Sequence, residues 1–176
     1  MDRVLSAFLE NAHTEATALA EQSDILQLTP LPPLPPSVYL CEFVVPYLHR
    51  LPSGLVEIAP GPVQMVINFP EDYLRSTDPR LYLRVASLLT PDVTHPNLWG
   101  TAVCLGSEFA PGTPITVLLW ELYDIVSYQN VTLDERNALN PEACRLLREH
   151  EGLLAQLTPK PFLRRAHKLQ ITVREI

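Results

Sequence analysis

The sequence predicts an α+β fold, with a helix first, an antiparallel meander next and further helices towards the end. Three observations predict it. Apolar residues recur at spacings of three and four near the start and in the last third. Runs rich in Val, Ile, Tyr and Phe occupy the middle. The 18 prolines fall mostly in clusters that separate these segments.

The first helix is read over residues 2 to 22, where Val4, Leu5, Phe8, Leu9, Ala12, Ala16 and Leu19 share one face. "TPLPPLPPS" follows, and Pro30, Pro32, Pro33, Pro35 and Pro36 rule out helix and favour an extended strap leading to the sheet. "SVYLCEFVVPYLHR" and "GLVEIAPGPVQMVINF" read as strands joined by a turn at Pro52-Ser53-Gly54. Pro-Gly-Pro at 60 to 62 splits the second run or puts a bulge in it. "RLYLRVASLL" reads as a further strand, which makes a four-stranded antiparallel meander.

Proline-punctuated crossings then lead to Cys104 and the loop "GSEFAPG". Thr113-Pro114 supplies an N-cap and a first-turn proline for a helix over 114–128, with Ile115, Leu118, Leu119, Leu122, Ile125 and Val126 as its stripe. Asn140-Pro141-Glu142 opens a second helix, 141–154, by the same logic, with Leu146, Leu147, His150, Leu153 and Leu154 on its face. "KLQITVREI" alternates like a short strand.

Composition narrows the function classes. At 176 residues, with 47% hydrophobic and 19% charged, the chain suits one globular core. A net charge of −7 argues against nucleic-acid binding, which needs a basic surface. From residue 159 onward, Lys160, Arg164, Arg165, Lys168 and Arg174 face Glu175 alone, a net +4 that leaves −11 on residues 1–158. Residues 1–158 therefore read as the domain, and 159–176 as a basic tail that docks on an acidic partner or packs back on its own domain.

The acidic opening segment lacks the pattern of a secretory signal, and no apolar run approaches the roughly 20 residues of a membrane span. Three widely spaced cysteines suit reduced thiols. The expectation is a cytoplasmic protein.

Cys104 stands nine positions after His95, with no cysteine nearby. A metal site would place a second Cys or His at short spacing, and a disulfide would need an oxidising compartment. A nucleophile needs only an exposed thiol beside groups that steady a carbonyl.

Six pieces in one order make the chain similar to the ubiquitin-conjugating enzyme family over roughly residues 1 to 155. Phe69-Pro70-Glu71-Asp72-Tyr73 resembles its "FPxDYP", with Leu74 in place of the last proline, and Pro79 begins a stretch like its "PP-x-V-x-F". His95-Pro96-Asn97-Leu98 matches its His-Pro-Asn-Ile, and Gly100 to Leu105 matches its Gly-x-Ile-Cys-Leu with shifted spacing. Phe109-Ala110-Pro111 stands where the family has Trp-Ser-Pro. Leu139-Asn140-Pro141-Glu142-Ala143 is close to its "PLNPEAA".

The resemblance implies a conjugating enzyme. Such a protein accepts a ubiquitin-like protein from an activating-enzyme-like protein as a thioester on Cys104, then passes it to an amine of a protein substrate. A thiolate is both a good nucleophile and a good leaving group, so one residue serves both transfers. Asn97 would steady the oxyanion or stiffen the loop that does so, while Glu108 and Asp134 are candidates for orienting and deprotonating the incoming ammonium. His95 and Pro96 shape the turn. Trp99 shields the cysteine or packs under the loop, and Cys41 and Cys144 are core thiols. No cofactor, metal, nucleic acid or membrane is implied.

Arg3 is the only basic residue of the first helix, where the family carries several Lys and Arg for its activating enzyme. Two lysines against eleven arginines point towards a bacterial relative. Such relatives are encoded beside a ubiquitin-like protein and an activating-enzyme-like protein, in pathways linked to phage defence. A second reading is a non-catalytic binding module of the same fold that holds a ubiquitin-like protein or scaffolds a partner. The cysteine favours the first, since such modules generally lack it.

Overall fold

A computed structural model describes residues 2–78, 80–106 and 109–164, apart from the side chain of Tyr82. Helix α1 (Arg3–Glu21) begins at Asp2, whose carboxylate accepts from the Val4 N–H. Leu5, Leu9, Ala12, Ala16 and Leu19 are buried along one face, as their spacing predicts, whereas Val4 is exposed. Val4 lies in the first turn, at the rim of that face.

The sheet has six strands, not four. β1 (Leu26–Leu31), β2 (Val38–Phe43), β5 (Val63–Asn68) and β6 (Ala86–Leu88) are antiparallel neighbours, and the short strands β8 (Ala102–Val103) and β7 (Leu98–Trp99) extend the far edge. β3 (Tyr47–Arg50) and β4 (Val56–Ala59) form a separate two-stranded sheet between β2 and β5. In β2 and β5 every second residue points inward, and the register sets Tyr39 opposite Ile67, Cys41 opposite Met65 and Phe43 opposite Val63. A one-residue slip of either strand would turn its three outward, so burial fixes this register.

Three sequence expectations are corrected here. The proline-rich stretch is no strap from helix to sheet: Thr29 to Leu31 belong to β1, and the remaining prolines close a β1–β2 hairpin. Proline lacks an N–H, and Pro30 is tolerated because β1 is an edge strand. The run from Ser37 to Arg50 breaks between Phe43 and Tyr47, where Pro46 lies and where the chain meets Gly61. A Cβ on Gly61, at φ +89°, would sit 2.6 Å from the Val45 carbonyl oxygen. The expected strand "RLYLRVASLL" is half helical. Asp78 accepts from the Arg80 N–H at its carboxylate and from the Leu81 N–H at its carbonyl. That turn leads into α2 (Tyr82–Val85) before β6 begins.

Helix α3 (Ile115–Val126) buries Ile115, Leu118, Leu119, Leu122, Ile125 and Val126 in the same core as α1 and the inward sheet residues. Its N-cap is Pro114 rather than Thr113, whose hydroxyl donates back to the Ala110 carbonyl at 2.6 Å. The expected helix over 141–154 is two: α4 (Pro141–Glu149) and α5 (Glu151–Leu154), broken at His150. α4 buries Ala143, Cys144 and Leu147, and beyond the break Leu153 and Leu154 of the expected leucine face are only half-buried. The described part of the tail packs on the domain through Phe162, which is enclosed by Phe43, Trp120 and Tyr123. Arg165, Lys168, Arg174 and the expected strand at "KLQITVREI" lie outside the described residues. Among those described, no helix is long and apolar enough to cross a membrane.

Candidate active site

The site is built on the β7–β8 hairpin. Leu98 pairs with Val103 and Trp99 with Ala102, which leaves a two-residue turn whose first member, Gly100, has a φ of +59° that glycine adopts without strain. One step beyond Leu98–Val103 the ladder is continued by side chain and main chain together. The Cys104 N–H donates to the Asn97 carbonyl at 2.8 Å, and the Asn97 Nδ2 donates to the Cys104 carbonyl at 3.3 Å. Cys104 is half-buried in an irregular segment just after β8, with Leu105 turned into the core beneath it.

His95 is fully buried. Its Nδ1 accepts from the Asn97 N–H at 3.0 Å, closing the turn around Pro96, and its ring meets Tyr128 edge-on at 4.9 Å. Burial without a compensating charge pushes its pKa down to about 3, so the ring is neutral in the folded protein. Tyr128, at φ +59°, donates its hydroxyl to the Thr94 carbonyl at 2.8 Å and accepts from the Leu48 N–H at 3.0 Å. One phenol thus pins β3 to the strand-like segment entering the turn.

Asn140 holds the other side. Its N–H donates to the Pro96 carbonyl at 2.8 Å and its Nδ2 to the Leu98 carbonyl at 3.1 Å, while its Oδ1 caps α4 by accepting from the Ala143 N–H at 3.1 Å. The cap is legible from Asn-Pro-Glu. The two bonds to the turn are not, because they join residues more than forty positions apart. Thr94 and Tyr128 escape sequence reasoning for the same reason.

Asp134 sits in the loop before α4. Its carboxylate accepts from the Arg136 main-chain N–H at 3.1 Å, the Arg136 Nε at 3.2 Å and the Asn137 Nδ2 at 2.9 Å. The Arg136 main-chain N–H, then the Arg136 side chain, hold it below the usual carboxylate range. These bonds organise its own turn, and none of them reaches Cys104. Glu108 lies outside the described residues. Trp99 is 59% exposed and lines a cleft of about 260 Å³ with Arg50, Asp92, Thr94, Asn140 and Glu142; Cys104 is not part of its lining.

The other two thiols are of a different kind. Burial raises Cys41 to about 12, and Cys144 is also raised by burial and donates to the Thr132 carbonyl at 3.4 Å. Among the described residues no three His, Cys, Asp or Glu side chains converge as metal ligands. Chemically, the arrangement presents one accessible thiol whose own peptide is clamped at both N–H and carbonyl. The sequence matches no protein-family model and no curated protein.

Proposed function

We propose that the protein has a ubiquitin-conjugating-enzyme-like fold and carries a ubiquitin-like modifier as a thioester on Cys104, taken from an activating-enzyme-like protein and passed to an amine of a protein substrate. The observation that carries the reading is the reciprocal Asn97–Cys104 pairing, which leaves a half-buried thiol on a hydrogen-bonded mount just past β8. A nucleophile that must meet two successive partners needs that combination of access and fixed orientation. The motif order from Phe69 to Ala143 supports it, as does the spread of the resemblance over most of the chain. Glu108 and Asp134 stay candidates for handling the ammonium proton, and the pathway assignment to a bacterial cytoplasm rests on composition and resemblance.

The test uses the benzyl thioester of a short peptide ending in Gly-Gly. The Cys104 thiolate displaces benzyl mercaptan to give acyl-Cys104, and the amine of free lysine then forms an amide and releases the thiol. The expected adduct is cleaved by an added thiol, which takes the acyl group and frees the Cys104 thiol, but not by a phosphine reductant; it is missing from Cys104→Ala and persists in Cys41→Ser and Cys144→Ser. Its discharge to lysine should outpace that of acylated N-acetylcysteine. Discharge at the free-cysteine rate would overturn the carrier reading in favour of a non-catalytic binding module.

A further inference from the structure

We propose that Asn140 is a positioning residue for the cysteine site, through which helix α4 sets the pose of Asn97 and hence of Cys104. The inference rests on the carrier reading above for the identity of the reacting residue.

Asn97 presents its carbonyl and amide to Cys104 from a turn that must be held on either side. Asn140 holds it at two points: the Pro96 carbonyl belongs to the peptide that enters Asn97 and the Leu98 carbonyl to the peptide between Leu98 and Trp99, and Asn140 donates to the two at 2.8 and 3.1 Å. The third contact, from its Oδ1 to the Ala143 N–H, anchors the same side chain to the first turn of α4. All three polar groups that Asn140 brings to this region are therefore used, the side-chain amide supplying its donor and its acceptor on separate atoms. The chain of contacts runs from Ala143 through Asn140 to Pro96 and Leu98, and from Asn97 to Cys104. The α4 end is fixed in turn by Cys144 on Thr132 and by Arg148, which donates to the Leu133 carbonyl at 2.7 Å. Movement of α4 thus reaches the thiol through Asn140, by its main-chain N–H and its side chain.

The role separates from simple capping by choice of variant. Asn140→Ser keeps the main-chain N–H for Pro96 and a good cap oxygen for α4, but is too short to reach Leu98. Asn140→Asp keeps the cap as well and sets a carboxylate oxygen against the Leu98 carbonyl. Both are loaded with the peptide thioester, and single-turnover discharge is followed over a range of lysine concentrations. Hydrogen exchange of the Cys104 amide, whose bond to Asn97 reports the mount, is measured on the unloaded protein.

The expected result for Asn140→Ser is a maximal discharge rate about ten-fold lower at an unchanged half-saturating lysine concentration, the scale of one lost hydrogen bond. Cys104 amide exchange should rise by a similar factor of about ten, with a small drop in the melting midpoint and the α3 amides changed no more than that drop requires. Asn140→Asp should lie further in the same direction. Cys104 exchange and maximal discharge both within about two-fold of wild type in the two variants would overturn the proposal. Should wild type itself discharge no faster than acylated N-acetylcysteine, the carrier reading fails, and the exchange of the Cys104 amide still decides the positioning contact.

Discussion

Asn97 and Cys104 hold each other by two hydrogen bonds, main-chain N–H to carbonyl at 2.8 Å and side-chain amide to carbonyl at 3.3 Å. The Asn97 amide is thereby committed to the carbonyl of Cys104. To serve as a direct oxyanion donor it would first have to release that carbonyl. The resting geometry accordingly assigns Asn97 to shaping the loop.

The difference is measurable in Asn97→Ala. Removing a direct oxyanion donor costs about 10²–10³ in rate, whereas losing one ordinary hydrogen bond in a partly exposed loop costs about 0.5–1.5 kcal/mol. The expected outcome is intact thioester formation, a lysine discharge slowed by about ten-fold and a lowered melting midpoint. A hundred-fold loss at unchanged melting would return Asn97 to the oxyanion.

His95 makes a prediction of definite sign. Its folded pKa of about 3 lies below the ordinary value near 6.5, so between those limits the unfolded chain holds a proton that the folded protein does not. Its contribution to stability is complete above pH 6.5 and is lost as pH falls towards 3, at about 1.4 kcal/mol per pH unit. The range from pH 6.5 to 5 is the clean window, because carboxylates titrate below it. His95→Asn keeps an acceptor for the Asn97 N–H, and urea unfolding across that window should show its pH slope smaller by one proton. An unchanged slope in the variant would mean that His95 is already protonated or exposed in the native protein.

Local pattern carried much of this architecture and none of its cross-connections. The face of α1, the turn at Pro52-Ser53-Gly54, the Asn140 cap and the position of Cys104 all follow from residues within a few positions of each other. β1 was hidden because proline in a strand argues against a strand unless the strand is known to lie at an edge, and that is a tertiary fact. The Leu81–Leu88 stretch is short and apolar, and periodicity cannot separate helix from strand at that length. The candidate site was legible as far as the pairing of Cys104 with Asn97 lies in one short stretch, but not in Thr94, Tyr128 or Asn140. Their roles arise from contacts across 34 and 42 positions that leave no trace in spacing.

The three thiols should differ sharply towards iodoacetamide. Alkylation requires an accessible thiolate, and burial raises both Cys41 and Cys144. Native protein at pH 8 should take up one carbamidomethyl group, on Cys104, with Cys41 and Cys144 reacting only in denaturant. Peptide mass mapping reads this directly, and early labelling of Cys144 would show that α4 opens in the native state.

The end of the described chain offers a final test, of whether its hold on the domain is apolar or electrostatic. Phe162 stacks on Tyr123 at 4.8 Å, meets Trp120 edge-on at 4.5 Å and is 2% exposed. Around it, Ser23 donates to the Phe162 carbonyl at 2.6 Å and Tyr123 to the Lys160 carbonyl at 2.8 Å. Arg164 reaches Asp24 at 2.6 Å, but both side chains are more than half exposed. An exposed ion pair contributes at most about 1 kcal/mol, whereas truncating a buried phenylalanine costs about 3–5 kcal/mol. Phe162→Ala should therefore lower unfolding free energy several-fold more than Arg164→Ala, and 0.5 M salt should leave the gap between them nearly unchanged. Equal losses in the two variants, or a gap that closes in salt, would make the basic residues the real anchor.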